Sequence, residues 1–165
     1  MAKAIVLGDS INTDQIISGE YVRRDDYTRY LFAKFRDDIN RLIQGGEVRG
    51  RIIVAGRNFG MGSSRERAAI GLKEVGIAAV VAHSYDPTFE RNAINCGLRI
   101  YRFRPGVHIR IREGDELVID PARNLLYDES TGDSYPLMET PRFVQEIWEA
   151  GGLIGILRKD ADWQG

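Results

Sequence analysis

One run of residues concentrates the groups that could do chemistry: Gly56-Arg57-Asn58-Phe59-Gly60-Met61-Gly62-Ser63-Ser64-Arg65-Glu66-Arg67. Its glycines open backbone conformations closed to other residues and let a ligand approach the main chain. Ser63 and Ser64 are expected at the N-terminus of a following helix, where unpaired amides and the helix dipole favour an anion. Arg65 adds a planar fork that can clamp a carboxylate or phosphate through two hydrogen bonds. The loop is not a Walker A phosphate loop, because no lysine precedes Ser63. Nor is it a dinucleotide-binding turn, because Arg65 stands where the third glycine belongs. A plainer role suits the same residues: Ser64 as the helix N-cap, with glycines shaping the turn. Residue types alone leave both roles open.

A second cluster is Gly8-Asp9-Ser10-Ile11-Asn12-Thr13-Asp14. Asp, Asn and Ser favour turns, so turn chemistry alone would explain it. It also follows a strand-like run, as does the first cluster. In open α/β sheets ligands sit beyond the carboxyl ends of strands, so both loops can line one crevice.

The elements that must hold these loops read as alternating strands and helices. Residues 2–7, 51–55, 77–82 and 98–101 are short apolar runs suited to strands; the run at 77–82 is continuous enough for a strand buried on both faces. Residues 66–75 and 87–96 suit helices, the second with Pro87 in its first turn and Gly97 after its end. Residues 25–44 carry helical spacing in Tyr27, Tyr30, Leu31 and Phe35, then Ile39, Leu42 and Ile43. The break at 36–38 divides them into two helices, with Asp38 as N-cap of the second. After Pro105-Gly106 the pattern changes. Val107, Ile109 and Ile111 alternate with polar residues, and 117–119, 124–127 and 133–135 follow as short strands of an antiparallel meander. Residues 143–148 and 153–157 are helical. The expected class is α/β: a parallel-rich central sheet with crossover helices plus a small antiparallel meander. The meander reads as a flap on one domain spanning residues 1–165.

Composition narrows the function. The chain has 165 residues, 23 basic and 24 acidic, with a net charge of −1. That balance argues against a nucleic-acid binder, which would show a basic excess. No apolar run is long enough to span a bilayer, so no membrane role is expected. Met1 is followed by Ala-Lys-Ala rather than a secretory signal, and the expected compartment is the cytoplasm. The single cysteine, Cys96, excludes an internal disulfide and any iron–sulfur site built from several thiolates of this chain alone.

Taken together, the two loops resemble those of the small subunits of the 3-isopropylmalate dehydratase and homoaconitase group, equivalent to the C-terminal swivelling domain of aconitase. The resemblance rests on Gly8-Asp-Ser-Ile-Asn-Thr-Asp14, Gly19-Glu-Tyr21, Gly56-Arg-Asn-Phe-Gly-Met-Gly-Ser-Ser-Arg-Glu66 and Arg91-Asn-Ala-Ile-Asn-Cys-Gly97, in family order. It implies a swivelling β/β/α domain. It also implies a hydro-lyase small subunit, active only with a large subunit, that helps dehydrate a hydroxy acid and rehydrate the alkene. A [4Fe-4S] cluster is then expected on the large subunit, holding substrate through one iron, with no metal on this chain. By the same resemblance Ser63 is the base that takes the carbon-bound proton. Ser64 and Arg65 bind substrate carboxylate, and Thr13 and Asp14 match the family's active-site Thr-Asp pair. A serine base needs its alkoxide stabilised, which nearby amides and Arg65 could do.

The loop 21–26 is associated in this family with substrate choice. Arg23 aligns with an arginine of homoaconitase-like members and suits an added carboxylate. Alternatively it belongs to a solvated turn whose charges pair locally. Isopropylmalate, a leucine-biosynthesis substrate, leads because most such subunits serve it. A homoaconitase-type substrate and a non-catalytic anion-binding or structural partner are the alternatives. Two positions depart from the common pattern, Met61 and Arg67. Arg67 is either an extra cation beside the anion site or an exposed helix arginine.

Overall fold

The computed structural model describes residues 1–161. Four strands, β1 (Ala2–Val6), β2 (Ile52–Ala55), β3 (Ala79–Ala82) and β4 (Ile100–Arg102), pair in parallel. Three more, β5 (Glu116–Asp120), β6 (Leu125–Asp128) and β7 (Asp133–Pro136), form an antiparallel meander. All belong to one sheet of order β4-β3-β2-β1-β5-β6-β7. The expected α/β architecture, with its parallel part and its meander, is the one observed. β1 joins the halves: Ile5 lies opposite Ile53 in the parallel direction and Ala2 opposite Leu117 in the antiparallel one. The outer strands meet at one corner, where Arg104 N donates to Pro136 O (2.9 Å) and Met138 N to Arg102 O (2.8 Å). The sheet is therefore curled.

Every residue of β2 and β3 is buried. These are the continuous apolar runs, and only strands covered on both faces tolerate them. The helices are α1 (Thr13–Ile16), α2 (Asp37–Gln44), α3 (Glu66–Glu74), α4 (Pro87–Cys96), α5 (Arg142–Glu149) and α6 (Leu153–Ala161). α3 buries Ala68, Ala69, Gly71 and Leu72, the stripe that a period of 3.6 residues places on one side. Asp86 caps α4 by accepting from the amides of Thr88 and Phe89, and Gly97 ends it in the left-handed region at φ 81°.

Three expectations are corrected. Residues 25–44 are not two helices. Tyr27–Tyr30 is a single 3-10 turn, and only α2 is α-helical. The helical spacing marks residues buried beneath α3, among them Tyr27 and Leu31, but Phe32 at φ 60° interrupts the helix. Asp38 does not cap α2. Its carboxylate is taken by Arg36, whose Nη2 lies 2.6 Å from Oδ2, and Arg36 itself occupies the cap position. Residues 107–112 form no strand. Ile111 is buried, yet the segment has no ladder partner among the described residues.

Candidate functional site

The two loops are zipped together at the carboxyl ends of β1 and β2. Gly60 N donates to Ile11 O (2.7 Å) and Thr13 N to Met61 O (2.8 Å), making Asn12 and Met61 bridge partners. Phe59 anchors the glycine-rich loop from below. It is fully buried, edge-on to Tyr85 and Phe89, and such burial contributes about 2–3 kcal/mol. Gly60 lies against that aromatic floor. At φ 80° a β-carbon there would fall 2.2 Å from Phe89 Cγ, so only glycine fits.

The sequence gives little periodicity for α1, since it has only four residues, but it does carry a capping box. Asn12 Oδ1 accepts from Gln15 N, and Gln15 Oε1 accepts from Asn12 N, both at 2.8 Å. The box sets the first residues of α1, Thr13 and Asp14, against the opposite loop. Thr13 is buried, and its Oγ1 lies 3.1 Å from the Ser63 carbonyl and 3.2 Å from Ser63 Oγ. A threonine hydroxyl has one proton and two lone pairs. Turned to the carbonyl, the proton leaves Oγ1 free to accept from the serine hydroxyl. Turned to Ser63 Oγ, it donates to that oxygen.

Asp14 meets Arg65, with Nη1 2.6 Å from Oδ1. The same Nη1 donates to Ile17 O (3.1 Å), and Gly19 N donates to Asp14 Oδ1 (3.0 Å). The Arg65 guanidinium, then the Gly19 amide, holds the Asp14 carboxyl below the usual carboxylate range. Among the described residues, Arg65 Nε and Nη2 have no partner. They are the side-on edge that takes a carboxylate through two hydrogen bonds.

The structure thus brings Ser63, Thr13, Asp14 and Arg65 together. It corrects the capping role of Ser64. α3 begins at Glu66 with Arg65 in the cap position and no side-chain cap, and Ser64 is exposed, making no hydrogen bond among the described residues. The amides of Glu66 and Arg67, in the first turn, find no acceptor among the described residues. Arg23 is exposed and joins none of the other candidates by a hydrogen bond or ion pair. Arg67 is half-buried, not the exposed helix arginine that was one alternative. Its guanidinium lies 4.7 Å from the centre of the Tyr27 ring and donates to Val22 O (2.7 Å) and Arg24 O (3.0 Å). No sequence signal marks such a reach to backbone carbonyls.

Cys96 does not suit a metal. It is half-buried in α4, burial raises its thiol pKa, and Sγ donates to Ala93 O. Among the described residues no three His, Cys, Asp or Glu side chains cluster to hold a metal ion. No described helix is long and apolar enough to cross a membrane.

Comparison with known proteins adds relatives along nearly the whole chain. The aconitase C-terminal domain family matches residues 23–104. The 3-isopropylmalate dehydratase small subunit 1 of Archaeoglobus fulgidus is 40% identical, covering 93% of this chain and 94% of that relative. The 3-isopropylmalate dehydratase small subunit of Pyrobaculum calidifontis is 42% identical, covering 96% and 97%. The crystal structure of 3-isopropylmalate dehydratase from Methanocaldococcus jannaschii superposes with a TM-score of 0.88 at 34% identity, covering 99% of this chain and 95% of that one.

Proposed function

This chain belongs to the family of 3-isopropylmalate dehydratase small subunits, and from that membership we propose that it supplies one half of a hydro-lyase active site completed by a large subunit. The observation that carries the reading is the pair of hydroxyls, Thr13 and Ser63, set beside the Arg65–Asp14 ion pair.

Ser63 is proposed as the base. Its exposed Oγ gives up its own proton to solvent and, as the alkoxide, takes the carbon-bound proton of a hydroxy acid to become the hydroxyl again. Thr13 turns its own proton from the Ser63 carbonyl to Ser63 Oγ and stabilises the charge there before transfer. Arg65 presents its side-on edge to a substrate carboxylate, with Asp14 fixing the opposite edge. The first-turn amides of α3, and Ser64 beside them, add donors for the same anion. The [4Fe-4S] cluster expected for this chemistry is assigned to the large subunit, because the lone Cys96 thiol does not fit such a group.

Isopropylmalate is the proposed substrate, following the printed names of the relatives. One observation favours a homoaconitase-type substrate with an added carboxylate. Of the two arginines in 21–26, Arg24 is paired with Asp26, while Arg23 has no acidic partner among the described residues. A single swivelling domain, a cytoplasmic setting and no nucleic-acid partner complete the reading, the last two in keeping with the lone thiol and the balanced charge.

The test is Ser63→Ala, co-purified with the large subunit. Turnover should fall by about 10² to 10⁴, the usual contribution of a proton-transfer group, while substrate still binds. Near-normal turnover overturns the assignment of Ser63.

A further inference from the structure

We propose that Arg67 is a positioning residue that fixes the backbone on both sides of Arg23, and so sets which substrate side chain the site prefers. The inference rests on the proposed reading of Arg23 as a residue that faces substrate.

One nitrogen of Arg67 makes the case. Nη1 donates to the carbonyl of Val22 and to that of Arg24, the residues flanking Arg23. A guanidinium can do this while lying over an aromatic ring, which a lysine reproduces only in part. That face is Tyr27, buried and itself fastened: its hydroxyl donates to Glu74 Oε2 at 2.9 Å. Arg67 and Glu74 both lie on α3, two turns apart. The helix that begins immediately after Ser63-Ser64-Arg65 therefore grips the 21–26 loop through a closed set of contacts.

The rest of the loop is held without Arg23. Tyr21 stacks on Tyr30 with centroids 4.4 Å apart, Arg24 lies over Tyr30 and pairs with Asp26, and Lys34 pairs with Glu20. Each of these charges has a local partner. Among the described residues the Arg23 side chain has no partner, while the carbonyls on both sides of it are held by Arg67. A solvated turn would have no need of that bracket, whereas a cation that must meet a distal polar or acidic group at a set distance does. Arg65, one helix position before Glu66, clamps the preceding stretch in the same manner through Asp14 and Ile17. The two arginines thus fasten successive stretches of the chain, 14–17 and 22–24, to the start of α3.

The experiment uses the complex with the large subunit. Specificity constants are measured for 2-isopropylmalate and for a hydroxy acid carrying an extra distal carboxylate, with Arg67→Gln, Arg67→Lys, Arg23→Val and the Gln/Val pair combined. Arg67→Gln should shift the ratio of specificity constants toward isopropylmalate by about tenfold, a change of one well-placed charged contact. The shift should fall on KM rather than kcat, Arg67→Lys should restore part of it, and the double variant should move no further than Arg23→Val. Trypsin should cut after Arg23 faster in Arg67→Gln than in the parent complex. Equal losses on both substrates, or additive shifts, overturn the proposal and leave Arg67 a purely structural residue. A shift with Arg23→Val but none with Arg67→Gln overturns it while sparing the reading of Arg23. No shift with Arg23→Val removes both.

Discussion

Replacing Thr13 by valine removes a single hydroxyl from the candidate site and keeps the buried shape. Thr13 is 2% exposed, and the change deletes the contacts of 3.1 Å and 3.2 Å to the carbonyl and hydroxyl of Ser63. A neutral hydrogen bond contributes about 0.5–1.5 kcal/mol net. Ser63 is exposed, so water takes over both of its oxygens and the loss of stability stays near about 1 kcal/mol. For a chain of this size that is a fall of about 2–4 °C in Tm. Turnover should respond far more. If Thr13 donates to a charged Ser63 Oγ, its removal resembles loss of one oxyanion donor, about 10²–10³ in kcat. The assay measures kcat in the assembled complex and melting of the isolated variant side by side. Adding Ser63→Ala should cost little beyond Ser63→Ala alone, because groups that act as a unit are not additive. A variant that melts lower yet turns over like the parent refutes the donor role and leaves Thr13 a packing residue.

Two other perturbations test the scaffold. Asp14 has a carboxyl pKa lowered by Arg65 and Gly19, so the ion pair stabilises the fold above the ordinary carboxylate range near about pH 4. That stabilisation fades as pH falls through the depressed value. Wild-type protein should therefore lose more Tm between neutral pH and about pH 3 than Asp14→Asn does, by a modest amount because Asp14 is largely exposed; parallel curves in thermal melts would contradict the pairing. Gly60→Ala forces a β-carbon toward Phe89 at positive φ, which should destabilise by about 2–5 kcal/mol through overpacking and backbone strain, read from urea midpoints; a midpoint close to the parent's would show that the aromatic floor yields.

The sheet was legible because its signals are strong. The runs 52–55 and 79–82 are apolar without interruption, and their short length with Gly50, Gly56 and Gly76 close by marks buried strands rather than helices. The site was half legible. Ser63 and Arg65 announced themselves through glycine spacing, and both loops follow strands. The helix carrying Thr13 and Asp14 was missed, since four residues show no period, although Asn12 and Gln15 stood at capping-box spacing. Ser64 looks like a cap by its type, yet α3 begins beyond it with Arg65 in the cap position. Helical spacing at 27–35 reflected burial under α3 rather than helix. The role of Arg67 depends on carbonyls more than forty residues earlier in the chain, a relation that no local pattern encodes.

The place of β1 governs how the chain can be made. It precedes the other six strands in the chain, yet it lies between β2 and β5, and its Ala2 waits for Leu117. Until about residue 120 has emerged, one edge of β1 carries unpaired amides and carbonyls, open to any other extended strand. Such late pairings between distant parts of a chain slow folding and prolong that exposure. The nascent chain thus keeps an open sheet edge after its parallel half is complete and until its meander closes, which makes assembly with the large subunit a matter of timing as well as of fit.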